Sequence, residues 1–218
     1  MLIPGYILTG LAAYLLGSIP TGFLVAKARG IDIRTVGSGN IGATNVFRFL
    51  GKPAGIFVLF ADALKGWLAV VVITRVVTTL FHLPANQMIQ EWLSICAGIC
   101  AILGHNFTCW LHFKGGKGIA TSAGVLTALV PWALVIILSV WIVIFALSRY
   151  VSLASICASI TLPFAAWFTH ESITMISMTA ALGVLAIYKH KTNIKRLLNG
   201  TESRLVLKKA ATEEPKQT

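Results

Sequence analysis

The chain has 218 residues, 56 % of them hydrophobic and 11 % charged, with a formal net charge of +11. Ordinary soluble domains carry about 25 % charged residues, and here the apolar residues fall in long blocks, which excludes a water-soluble globule. The positive charge lies in short segments between those blocks, which points to a membrane face rather than to a nucleic-acid surface.

Residues 2–26, 54–74, 92–111, 119–147, 150–169 and 173–188 contain almost no charge. A spanning helix needs about 20 mostly apolar residues, so these blocks predict a helical bundle in lipid. Charge follows the first block (Lys27, Arg29, Arg34) instead of preceding it. That order predicts a retained helix with its N-terminus outside, not a cleaved signal peptide. Its small residues Gly10, Ala13, Gly17 and Thr21 recur at helical spacing, suiting close packing, and Pro20 should bend its far end.

Residues 27–52 hold Lys27, Arg29, Arg34, Arg48 and Lys52 against Asp32 alone, and the stretch from Lys189 onward is also strongly basic. Both belong in the cytoplasm by the positive-inside rule, so the crossings between them must be even in number. An even total requires 119–147 to split at Pro131, which also places Lys114, Lys117 and Arg149 inside. The expected fold is an all-α, polytopic integral membrane bundle of about seven transmembrane helices, N-terminus out and C-terminus in. Its first half-block, 119–130, is short for a span and needs loop help or local thinning. The organisation expected is one transmembrane domain over 1–204 and a polar cytoplasmic tail over 205–218.

Three polar constellations border these helices. Gly37-Ser38-Gly39-Asn40-Ile41-Gly42-Ala43-Thr44-Asn45, followed by Arg48, forms a glycine-rich loop able to turn backbone N–H groups toward an anion. Gly39, Asn40, Gly42 and Asn45 are its candidate phosphate contacts, and Arg48 can add a bidentate fork. Phe113-Lys114-Gly115-Gly116-Lys117-Gly118 precedes an apolar helix, where free N–H donors, dipole and ammonium favour phosphate at Lys114, Gly115, Gly116 and Gly118. It is not a nucleotide-triphosphatase loop, because Gly118 stands where Ser or Thr should follow the lysine. In Lys189-His190-Lys191-Thr192-Asn193-Ile194-Lys195-Arg196, His190 and Asn193 share a helix face. Each stretch also suits a plainer reading, an ordinary basic turn or a segment that binds anionic lipid.

Asp62 and Lys65 share a helix face inside the second block, as expected of an ion pair that fixes packing. Cys96, Cys100, Cys109 and Cys157 read as small apolar fillers. No carboxylate cluster suits a divalent metal, and no Ser–His–Asp set lies at the cationic loops. What remains is a reaction on phosphorylated substrates that needs cationic positioning more than a strong base, without metal or cofactor. A transporter or channel for a small phosphorylated anion is the alternative. A lipid-binding scaffold would explain the basic tail but not the two glycine loops.

The stretches VGSGNIGATNVFR (36–48), GHNF with FKGGKGIAT (104–121), RYVSLASI (149–156) and YKHKTNIKRLLNG (188–200), with DALKG (62–66), resemble the bacterial acyl-phosphate:glycerol-3-phosphate acyltransferases, the PlsY family. The resemblance runs from the first helix to about Arg204. It implies transfer of a fatty acyl group from acyl phosphate to the 1-hydroxyl of glycerol 3-phosphate. The products would be lysophosphatidic acid and inorganic phosphate, in the first step of phospholipid synthesis. It further implies a multi-pass protein of the bacterial inner membrane with its site facing the cytoplasm, using neither acyl-CoA nor acyl carrier protein. The family's functional residues fall on Ser38, Arg48, Lys117, Ser155, His190 and Asn193. Thr108 replaces a common proline, and Lys189 and Lys191 replace common arginines. The His-x4-Asp spacing of other glycerolipid acyltransferases is absent.

Overall fold

The computed structural model describes residues 1–205; apart from Leu205, the tail expected over 205–218 lies outside them. Every regular element among the described residues is helical: α1 (Leu2–Ser18), α2 (Thr21–Lys27), α3 (Ala43–Leu50), α4 (Lys52–Leu68), α5 (Thr74–Leu80), α6 (Gln87–Asn106), α7 (Ile119–Leu129), α8 (Pro131–Ser148), α9 (Val151–Phe168), α10 (Ile173–Lys189) and α11 (Lys191–Leu198). Five stretches are long and apolar enough to cross a membrane: Leu2–Lys27, Lys52–Leu80, Gln87–Leu111, Pro131–Ser148 and Val151–Phe168. The pair α10 and α11, bent by 58°, makes a sixth when taken together. The shortfall from about seven is α7, whose 11 residues extend about 16 Å beside a hydrocarbon layer of about 30 Å.

The breaks follow from the residues. α7 stops at Leu129, Val130 turns with φ −142°, and Pro131 opens α8, where its missing N–H leaves no bond unmade. Ile19 and Pro20 separate α1 from α2, with Pro20 standing just before the first turn of α2 as its N-cap. The second span runs to Leu80, six residues past the expected 74, through a π-helical turn at Ala69–Ile73. Thr74 and Thr79 satisfy their hydroxyls on the carbonyls of Val70 and Arg75, so polar residues continue the helix. α6 begins at Gln87 because the Asn86 side chain accepts from the N–H groups of Met88 and Ile89.

α1 packs on α6, α4 on α7, and α9 on both α8 and α10. The expected small-residue stripe faces α6. A Cβ on Gly17 would stand 2.0 Å from the Ala101 carbonyl oxygen, so only glycine permits this approach. Cys96 and Cys100 lie against Gly10. Thr108 donates its hydroxyl to the Ser18 carbonyl at 2.5 Å, tying the end of α6 to the end of α1. Exposed Trp92, Trp132 and Trp167 stand at one end of the bundle, and Trp110, Phe113 and Tyr188 at the other, as ring systems do at membrane interfaces.

Candidate active site

The first glycine loop is built on a small core of Ala26, Ile33, Ile41, Val46 and Val58, which fixes where α2 ends and α3 begins. Asn45, in the first turn of α3 and 2 % exposed, holds the loop together. Its Nδ2 donates to the carbonyls of Ile33 and Val36 at 3.1 Å, and its Oδ1 accepts the Ser38 N–H at 3.2 Å. Asn40 Oδ1 accepts the Gly42 N–H at 2.8 Å, and the Val36 carbonyl accepts that of Gly39. These amides therefore build the turn, which gives Asn40, Asn45, Gly39 and Gly42 a shaping role. Ser38 is exposed on the rim. Arg48, in the last turn of α3, reaches the Ser203 carbonyl at 2.8 Å.

The second loop lies on the end of α6. The Gly115 and Gly116 N–H groups donate to the carbonyls of Asn106 and His105 at 3.2 and 3.0 Å. Gly118 caps α7 with φ +79°, and Lys114 is exposed. Lys117 turns inward and donates to Asn193 Oδ1 at 2.5 Å.

The third segment completes a cationic cluster. Asn193 Nδ2 donates to Glu202 Oε1 at 2.7 Å, Ser152 Oγ to the same oxygen at 2.6 Å, and Arg196 Nε to Glu202 Oε2 at 2.6 Å. Glu202 thus joins α9, α11 and, through Asn193, Lys117. Ser155, one turn along α9 from Ser152, accepts from Trp141 Nε1 at 3.1 Å and donates to the Val151 carbonyl at 2.8 Å. It lines a small apolar cleft of about 70 Å³ with Ile119, Leu126, Leu138, Leu182 and Ala186. The cluster therefore sits at the mouth of an apolar passage between α7, α8, α9 and α10. Lys117, His190, Asn193, Ser155 and Arg48 gather around that mouth, whereas Ser38 and Lys114 are exposed and make no side-chain contact with the cluster among the described residues.

The electrostatics set the protonation states. Burial chiefly, and the cations Arg196, Arg48 and Lys189, bring Lys117 down to about 8, against the opposing pull of Glu202. His190 stands at the 58° bend between α10 and α11, beyond the apolar run of α10, and is buried. Burial first, then Lys117, lowers it to about 4, so its imidazole is neutral. Its Nδ1 lies 2.8 Å from the Ala186 carbonyl. A carbonyl only accepts, so Nδ1 carries the proton and Nε2 keeps a lone pair. Burial raises the Glu202 carboxyl, but hydrogen bonds from Ser152, Arg196 and Asn193 outweigh it and hold the group below its ordinary value.

Reading the residues alone missed Glu202, Arg196 and Ser152. The available signal was Gly200, whose φ of +68° just past α11 turns the chain back, so that the Thr201 and Glu202 N–H groups meet the Arg196 carbonyl.

Residues 7–200 match the family described as glycerol-3-phosphate acyltransferase. A glycerol-3-phosphate acyltransferase of Endomicrobium trichonymphae is 47 % identical over 88 % of this chain and 92 % of its own. One of Geotalea daltonii is 46 % identical over 88 % and 94 %. The crystal structure of PlsY (YgiH), an integral membrane glycerol 3-phosphate acyltransferase, in its glycerol 3-phosphate form superposes with a TM-score of 0.81 at 40 % identity, covering 92 % of this chain and 96 % of that one. Its lysophosphatidic acid form gives 0.79 at 39 % identity, covering 92 % and 95 %. Matches of this extent, together with a membrane bundle that gathers its cations at one end, leave a single conclusion: the chain belongs to the glycerol-3-phosphate acyltransferase family.

Proposed function

We propose that this membrane acyltransferase moves a fatty acyl group from acyl phosphate to the 1-hydroxyl of glycerol 3-phosphate. The observation that carries this reading is the cationic cluster of Lys117, Arg48 and Arg196 at the mouth of an apolar cleft. Two phosphates and one acyl chain need that pairing of environments. The hydroxyl oxygen bonds to the acyl carbon, and the carbon–oxygen bond to phosphate breaks. Phosphate leaves with the electron pair, and a phosphate oxygen takes the hydroxyl proton. Lysophosphatidic acid and inorganic phosphate result, as the first step of phospholipid synthesis.

An acyl phosphate has a good leaving group, so no covalent enzyme intermediate is required. Lys117 and Arg48 neutralise the phosphates and hold a near-attack geometry. Asn193, Ser155 and Ser38 orient the hydroxyl and the carbonyl oxygen. A general base works best with a pKa near the working pH. His190, held to about 4, is a weaker base than a phosphate oxygen, whose second pKa is about 6. The acyl chain follows the cleft beyond Ile119.

Purified protein given acyl phosphate and glycerol 3-phosphate should release inorganic phosphate and acylate the glycerol. Acyl-CoA and acyl carrier protein should not replace the donor, and equal rates with acyl-CoA would overturn the assignment of donor. The functional unit is one domain over 1–204 in the bacterial inner membrane, N-terminus outside and site facing the cytoplasm. In a background without native cysteines, a cysteine near residue 131 should label from outside. One within 195–200 should label only from the cytoplasmic face. Labelling of both from the same side contradicts this orientation.

A further inference from the structure

The chemistry above makes no use of the one ion pair among the described residues that is buried on both sides, Asp62 with Lys65. The two are 2 % and 4 % exposed and 2.8 Å apart. Taking two charges out of water is costly, and apolar residues would pack two helices as well. The contacts of the pair reach well beyond α4. Lys65 Nζ also donates to the Ile19 carbonyl at 2.8 Å, at the break before Pro20. Thr21, the first residue of α2, donates to Asp62 Oδ1 at 3.1 Å. His105, 4 % exposed in the last turn of α6, turns Nδ1 toward that same oxygen at 3.6 Å and has no hydrogen-bond partner there.

The other edge of this ring supports the second glycine loop. A Cβ on Gly116 would fall 2.1 Å from His105 Nε2, so the loop backbone lies directly on the imidazole. The Gly116 N–H donates to the carbonyl of the same histidine at 3.0 Å. The next residue is Lys117, which leaves this backbone to reach Asn193. One connected set of contacts thus runs from the α1–α2 break through Asp62 and His105 to the residue that carries the ammonium.

We propose that Asp62, Lys65 and His105 are positioning residues for Lys117. The ion pair orients the imidazole, and the imidazole sets the height of the Gly115–Gly116 backbone. This rests on the phosphate-binding role given to Lys117 above. A misplacement of about 1 Å in such a group can cost on the order of 100-fold in rate, so a fixed support matters more here than helix packing alone.

The test reads Lys117 itself in the purified full chain. Its modification by an amine-directed reagent is followed by peptide mass spectrometry from neutral to alkaline pH. Half-maximal modification in the unaltered protein should fall near 8, with burial lowering it most, Glu202 raising it, and Arg196, Arg48 and Lys189 lowering it further. His190 faces the same ammonium as a neutral ring. Two variants are compared, His105→Ala and the paired Asp62→Asn/Lys65→Met, which leaves no charge buried alone. In both, the midpoint should rise by about one pH unit or more as Lys117 swings toward water. Both should lower kcat/KM by about 10- to 100-fold, and the loss from His105→Ala should vanish in a Lys117→Ala background.

A midpoint that stays near 8 in both variants overturns the proposal. So does unchanged kcat/KM, or an equal loss in both backgrounds. The labelling does not depend on acyl transfer, so a failure here is distinguishable from a failure of the proposed reaction.

Discussion

Lys117→Ala should lower kcat/KM by about 30- to 1,000-fold, and Arg48→Ala should fall in the same range. These losses correspond to about 2–4 kcal/mol of transition-state stabilisation, the worth of one strong charge-assisted contact in a dry site. Size alone does not separate positioning from base catalysis, because losing a general base costs about 100- to 10,000-fold. The pH profile does. Lys117 loses its proton as pH rises through about 8, so activity should fall on the alkaline side, and that limb should be absent from Lys117→Ala. On the acid side, the proposed phosphate base predicts a limb at about 6, from its second ionisation. His190 is already neutral there, being held to about 4. His190→Gln should therefore keep the acid limb with its midpoint little moved, and a mutant profile flat between pH 5 and about 7 would make His190 the base.

Glu202→Ala should cause the largest combined loss, in stability as well as in rate. The variant leaves Ser152, Asn193 and Arg196 without their shared acceptor. Hydrogen bonds to charged groups are worth about 1.5–3 kcal/mol each. The Arg196 contact counts for less, because that side chain is 35 % exposed. A destabilisation of about 3 kcal/mol and at least a 100-fold fall in kcat/KM are expected, measured by thermal unfolding in detergent and by phosphate release. Removing the carboxylate also removes the influence that raises Lys117, so the alkaline limb should begin at lower pH. Glu202→Gln, which keeps part of the hydrogen bonding, should lie between. Unfolding and rate within about threefold of the unaltered protein would show that this carboxylate organises nothing.

Bundle class and the break at Pro131 were legible because lipid and proline act through composition and a single missing N–H, both visible in a string of letters. The extent of the helices was less so. The run from Thr74 to Leu80 is polar enough to read as a loop, and its hydroxyls bond within the helix only once the helix exists. At the site, Lys117, His190 and Asn193 could be picked out by their glycine and basic surroundings. Glu202 could not, because it read as one acidic residue in a basic tail and acquires partners only when Gly200 turns the chain. His105 was hidden in a similar way. Its carboxylate partner, Asp62, lies in another span, and nothing local in the sequence joins them. The glycine loops were read as anion cradles, whereas most of the N–H groups traced above shape the loops or seat them on α6.

α8 buries only Ala133, Leu134 and Ile137, and Leu138 at the rim of the cleft is 43 % exposed. That outer face is turned to hydrocarbon, so the lipid donor proposed above would reach the cleft sideways, by diffusion within the plane of the bilayer. On that reaction, the encounter would be governed by the mole fraction of acyl phosphate among the surrounding lipids or detergent, not by its molarity in the tube. Adding detergent at fixed donor should dilute the surface on which the two meet and slow the reaction, while glycerol 3-phosphate, arriving from water, should keep its ordinary concentration dependence. On that reaction, a Michaelis constant for this protein would be a pair of quantities in different units, one two-dimensional and one three-dimensional.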